Sequence, residues 1–147
     1  MRTRGSSPIQ VFTTGYTTTA GTLVTLNEAD YNEINGSSSA AGTGLADDHI
    51  NVIKGRGYSS FEEAINYNGV DADDGEDTTG TDLAMVVVFY NTSTARTEMW
   101  YTPDADSDDE DSAFTIDNAS LLAYSTDITL TGIGGFGYQN FAVESIG

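Results

Sequence analysis

A chain of 147 residues suits one domain with a real core rather than two, and 23 acidic against 5 basic residues leave a formal charge of −18, which repels nucleic-acid phosphates and anionic membranes. There is no cysteine, which excludes a disulfide framework, a thiolate zinc site and a cysteine nucleophile, and the longest apolar run, 83–90, is less than half a membrane-spanning helix. The carboxylate excess suits high-salt water, where self-repulsion is screened within a Debye length and hydrated carboxylates keep a protein soluble.

Residues 1–7 are polar, contain Gly and Ser, and carry the cations Arg2 and Arg4. They predict a flexible basic arm, and on so acidic a body Arg2 and Arg4 are the candidate contacts with a neighbouring copy. No apolar stretch follows these charges, so a conventional secretory signal is not expected. Residues 8–147 are expected to form a single β-rich domain. Within it, strands are predicted around 9–13 and 22–26, where apolar residues interrupt a threonine-rich stretch. The segment 27–36 predicts a short helix, with Asn27 as cap, Glu28 and Asp30 at its positive end and Gly36 as terminator. Residues 36–44 are nearly all small, which predicts a loop.

His49 to Lys54 predicts a strand closed by Gly55 and Gly57. A capping box, Ser60 to Glu63, opens a brief amphipathic helix with Phe61 and Ile65 on one face and Gly69 as its stop. An acidic loop, 70–82, leads to the stretch around which the chain is organised, Leu83 to Tyr101, two strands joined by a polar loop from Asn91 to Ala95. On its first strand Leu83, Met85, Val87 and Phe89 alternate with Ala84, Val86, Val88 and Tyr90, so both faces are apolar and both must be covered. The second strand sets Thr97, Met99 and Tyr101 against Arg96, Glu98 and Trp100, a mixed pattern that suits a position nearer an edge. Beyond the acidic run 104–111, short apolar bursts at Phe114 and Ile116, Leu121 and Leu122, Ile128 and Leu130, and Phe141 and Val143 are separated by turn residues, as in an all-β domain. The expected fold is therefore a mainly β, single-domain sandwich or irregular barrel with one or two short helices.

Candidate chemistry is sparse. Asp104, Asp106, Asp108 and Glu110 crowd carboxylates onto one loop, which makes it the candidate calcium site. The spacing departs from an EF-hand loop, with Asp109 where glycine belongs and Thr115 where the closing glutamate belongs. Asp71, Asp73, Asp74, Glu76 and Asp77 form a looser acidic group. The sole histidine, His49, has no second histidine with which to build a zinc hydrolase site. No GxSxG elbow positions a serine, and no carboxylate pair stands out for glycoside hydrolysis. Asn-x-Ser triplets at Asn35, Asn91 and Asn118 are read as coincidences of a Ser/Thr-rich chain.

The run Gly134-Gly135-Phe136-Gly137-Tyr138-Gln139-Asn140-Phe141-Ala142 resembles the glycine-rich nonapeptide of hemolysin-type (RTX) secreted proteins, with Phe141 at its apolar position and Gln139 in place of the calcium-binding aspartate. The stretch from Phe89 to Asp106 resembles the strand, turn, strand and acidic-loop modules that accompany such repeats. The resemblance implies an exported or externally exposed origin and no catalysis, and a single altered copy implies no β-roll. The expectation drawn from these readings is a non-enzymatic structural subunit of an exposed assembly, a virion coat, capsid-decoration or appendage protein whose partners are copies of itself or another structural protein. A secreted calcium-responsive surface module and a carbohydrate-binding β-sandwich using Tyr and Trp are the alternatives.

Overall fold

The computed structural model describes residues 23–36, 44–46, 49–68, 85–102 and 119–144. The strand predicted at 9–13, the loop 70–82 and the burst at Phe114 and Ile116 lie outside them. The elements are β1 (Leu23–Thr25), β2 (Tyr31–Asn35), β3 (Ile50–Lys54), α1 (Phe61–Asn68), β4 (Met85–Asn91), β5 (Arg96–Thr102), β6 (Ser120–Ser125), α2 (Leu130–Ile133) and β7 (Ala142–Glu144). Five strands form one open sheet in the order β2-β3-β4-β5-β6, and β1 pairs with β7 in a separate two-stranded ribbon. The fold is mainly β with two short α-helices, and among the described residues no strand closes the large sheet into a barrel.

The described part of the organising stretch, 85–101, holds the centre. β4 is the middle strand and pairs antiparallel with β5 from Met85 opposite Thr102 to Asn91 opposite Arg96. The intervening turn is set by Asn91, whose side-chain oxygen accepts from the backbone N–H groups of Ser93 (2.9 Å) and Thr94 (3.2 Å). That is the local bond through which asparagine competes with the ladder and starts a turn. Ala95 closes the turn at φ 54°, in the left-handed region.

Both faces of β4 are covered, as its two-sided apolar pattern requires. On one face Met85, Val87 and Phe89 pack with Ile34, Ile53, Tyr58 and the α1 residues Phe61, Ala64 and Ile65. On the other, Val86 and Val88 pack with Ile50, Val52, Ile133 of α2, and Leu26 and Phe141, which flank the ribbon. The sheet thus lies between α1 and a layer built from α2 and the ribbon ends. At about 1.5–3 kcal/mol for each fully buried aliphatic side chain, these two clusters are the main source of stability. The helix expected after Ser60 is α1: Ser60 Oγ accepts from the Glu63 N–H at 3.1 Å, while the Glu63 carboxylate accepts from the N–H of Ser59 at 2.6 Å.

Two local expectations are corrected. The helix predicted over 27–36 is a single 3-10 turn, Glu28–Asp30, after which the chain becomes β2. A parallel ladder with β3, from Tyr31 opposite Ile50 to Asn35 opposite Lys54, supplies bonds that a short isolated helix cannot match, because helix nucleation is costly. Gly36 accordingly ends a strand rather than a helix. Its N–H donates to the Lys54 carbonyl at 2.8 Å, and a Cβ there would stand 2.5 Å from Tyr58 Oη, so only glycine allows this approach. The burst at Ile128 and Leu130 is likewise not a strand. Leu130 opens α2, where Thr129 Oγ1 caps the helix by accepting from the Gly132 N–H at 3.1 Å.

Candidate assembly surface

On β5 the alternation that places Arg96, Glu98 and Trp100 on one face puts a carboxylate into the interior: Glu98 is 1% exposed. Its Oε1 accepts from Arg96 Nε (2.7 Å) and Thr94 Oγ1 (3.0 Å), and its Oε2 from Trp100 Nε1 (2.8 Å) and Asn91 Nδ2 (3.1 Å). Burial drives the Glu98 pKa upward, but the bonds from Trp100, Arg96, Asn91 and Thr94 outweigh it and hold the carboxyl below its ordinary range. An ionised carboxylate offers about four lone-pair sites, and these donors use them. Glu98 therefore locks the β4–β5 hairpin in its ionised form. Trp100 is fixed from its other side by Phe61, whose ring stacks on the indole at 5.0 Å and 7°.

The same lock reaches the edge of the sheet. Arg96, ion-paired with Glu98 at 2.7 Å, lies over the ring of Tyr124 with its guanidinium carbon 4.1 Å from the centroid. Tyr124 belongs to β6, which pairs with β5 through Thr97 opposite Ser125, Glu98 opposite Tyr124 and Met99 opposite Ala123. The register then slips, and Trp100 meets Leu121. This irregularity leaves Leu122 as the extra residue and brings Leu121 and Tyr124, three positions apart, opposite residues of one face of β5. Leu122 instead packs against the cluster on the other face. Leu121 is 37% and Tyr124 60% exposed. The strand sequence SLLAYS has no charged residue and no proline, the usual protections of an exposed edge.

The opposite edge is guarded. Glu33 on β2 is paired with Lys54 of β3, and the Phe136 carbonyl accepts from both Lys54 Nζ (2.6 Å) and Tyr31 Oη (3.2 Å). Burial first, and then the neighbouring Glu33 carboxylate, push the Tyr31 pKa up to about 12. On the helix face of the same edge, buried Asn51 binds Asn32 at 2.8 Å and both the N–H and the carbonyl of Ala46 at 2.8 and 2.9 Å, pinning the described segment 44–46 over the sheet. The three described cations are all engaged within the molecule: Lys54 with Glu33, Arg56 with Glu63 and the Tyr67 ring, and Arg96 with Glu98 and Tyr124.

Of the residues singled out from sequence, Asp104, Asp106, Asp108 and Glu110, and the arm cations Arg2 and Arg4, lie outside the described residues, as does the looser acidic group of the 70–82 loop. His49 immediately precedes β3, and its carbonyl accepts from the Val86 N–H at 3.1 Å. Among the described residues no three His, Asp or Glu side chains gather as a metal cluster. Asn91 spends its amide on the turn and on Glu98, and it is buried. The run 134–142 forms the turn that caps α2 from Gly134, a 3-10 turn (Tyr138–Asn140) and the first residue of β7, with Phe136 fastened to β2 and β3 as described above.

Sequence reading missed Glu98, Leu121 and Tyr124. The usable signal for the edge was SLLAYS itself, an uncharged run in a chain of charge −18. For Glu98 it was an acid flanked at two-residue spacing by Arg96 and Trp100, side chains able to donate to it. We found no match to this chain among protein-family models, curated proteins or solved structures.

Proposed function

We propose that this chain is a non-enzymatic structural subunit of an exposed assembly, a virion coat, capsid-decoration or appendage protein found on a virion or outside a cell. The observation that carries the reading is the contrast between a strongly acidic body, whose described cations are engaged internally, and one uncharged sheet edge with outward Leu121 and Tyr124. Proteins normally blunt such an edge unless something pairs with it. The ring faces needed for a stacked sugar are partly spent, since Trp100 lies on Phe61 and Arg96 covers one side of Tyr124, so the assembly reading is preferred to carbohydrate binding.

Sedimentation and electron microscopy of the purified chain, from dilute buffer to molar salt, test the proposal. Association into defined oligomers or particles is expected, alone or on addition of a candidate structural partner. A chain that stays monomeric throughout and turns over a substrate would overturn it.

A further inference from the structure

We propose that Asn35-Gly36 is a site of spontaneous covalent modification, an asparagine that cyclises and deamidates when the end of β2 parts from β3 and is held unreactive while the strands are paired. The chemistry belongs to the dipeptide. The Gly36 backbone nitrogen attacks the Asn35 side-chain carbonyl carbon, the bond to the amide nitrogen breaks and ammonia leaves, and water then opens the succinimide to aspartate or isoaspartate. Glycine favours that attack because no Cβ crowds its nitrogen and its backbone is permissive. The fold itself demands this glycine, since a Cβ at residue 36 would meet Tyr58 Oη at 2.5 Å and the Ile53 side chain at 2.9 Å. Asn35 is exposed, so water reaches it, whereas Gly36 is buried.

The same fold restrains the reaction. The Gly36 N–H donates to the Lys54 carbonyl at 2.8 Å, and Asn35 stands opposite Lys54 in the parallel ladder. Ladder bonds run along the sheet while strand side chains stand roughly perpendicular to it, so the nucleophilic nitrogen is held away from the carbon it must reach. Opening the last pairs of β2 removes that restraint, and local opening costs less free energy than global unfolding. Isoaspartate routes the main chain through Cβ and lengthens it by an extra atom. That displaces Gly36 from the Lys54 carbonyl and from its fit beside Tyr58, so an end that has opened and reacted no longer closes as before.

The inference is independent of the assembly reading, and the parent chain tests it. Folded and denatured samples are held in mildly alkaline buffer, and their peptides are mapped by mass for conversion of amide to acid, with isoaspartyl methyltransferase labelling to identify isoaspartate. Residue 35 is expected to convert readily in denaturant and at least about tenfold more slowly in the folded chain, the factor given by an opening free energy of about 1.4 kcal/mol. The sequence's other Asn-Gly pair, Asn68-Gly69, is an internal comparison. Asn68 is held through its side chain, with Nδ2 donating to the Ala64 carbonyl at 2.7 Å and Oδ1 accepting from Tyr58 Oη at 3.4 Å. Asn35→Gln should abolish conversion at residue 35 while melting with the parent. Chains carrying isoaspartate at residue 35 alone, separated by chromatography and refolded, should melt below both the parent and Asn35→Asp, which has the new charge without the extra backbone atom. Equal rates at residue 35 with and without denaturant, or conversion confined to Asn68, would overturn the inference, as would isoaspartate chains that melt with Asn35→Asp.

Discussion

Glu98 is an acid removed from water, and what it contributes depends on its protonation. Because its pKa in the fold is depressed, its stabilisation is fully present above the ordinary glutamate value, near about 4.3, and is lost as pH falls through the folded-state value. Glu98→Gln keeps the shape but removes the charge that Arg96 and Trp100 bond to. It is expected to lower stability by about 1–3 kcal/mol at neutral pH, and the gap to the parent should close in acid. Denaturant melts of both proteins at stepped pH check this, and a gap that stays constant down the acid limb would show that the charge is irrelevant. Tyr31 runs the other way. With its pKa raised to about 12, its contribution is intact below the unfolded value near 10 and is lost as pH rises towards 12. Tyr31→Phe, which has no proton to lose, should show a shallower alkaline decline over that interval, measured as melting temperature against pH.

At the scale of elements, β4 decides whether the molecule folds. Val87 and Val88 point to opposite clusters and are 0% and 2% exposed, so Val87→Asp and Val88→Asp should each cost several kcal/mol by burying an unpaired charge, about 3–5 by analogy with broken buried ion pairs. Similar losses from both would establish that two covered faces matter equally; a variant melting within a degree or two of the parent would show its face to be open. The junction of β2 and β3 makes a sharper prediction. Gly36→Ala forces a methyl against Tyr58 Oη, Ile53 and the Lys54 carbonyl, an overpacking expected to cost about 1–3 kcal/mol. Adding Tyr58→Phe deletes the nearest of those atoms and should recover part of the loss, so a double-mutant cycle with no coupling would place Gly36 elsewhere.

For the whole molecule the governing quantity is charge. A body of −18 has two ways to meet a neighbour, by shedding charge along an uncharged edge or by offering cations, and Arg2 and Arg4 are the cations that lie outside the described fold. Each exposed pair they form is worth only about 0.2–1 kcal/mol and weakens with salt, although many copies multiply the effect. Deleting residues 1–7 should therefore leave the melting temperature nearly unchanged and impair assembly most in dilute buffer. Assembly of the truncated chain indistinguishable from the parent at every salt concentration would remove the arm from the mechanism.

Sequence alone determined the features that depend on local pattern. The two-sided apolar run of β4 required two covering layers, the mixed alternation of β5 set it beside an edge, and Ser60 with Glu63 marked the start of α1, because side-chain period and cap chemistry act within a few residues. Tertiary structure decided the rest. Tyr31 to Asn35 read as a helix until the parallel partner β3 was present to form its ladder. Glu98 read only as one member of a mixed strand face until the hairpin brought Asn91 and Thr94 to join Arg96 and Trp100 around it. The exposure of Leu121 and Tyr124 on one face came from a register slip that no strict two-residue alternation contains. Each of these depends on bonds between residues distant in the chain or on a break in strand register, and a linear pattern encodes only the side chains available to make them, not which partner the fold delivers.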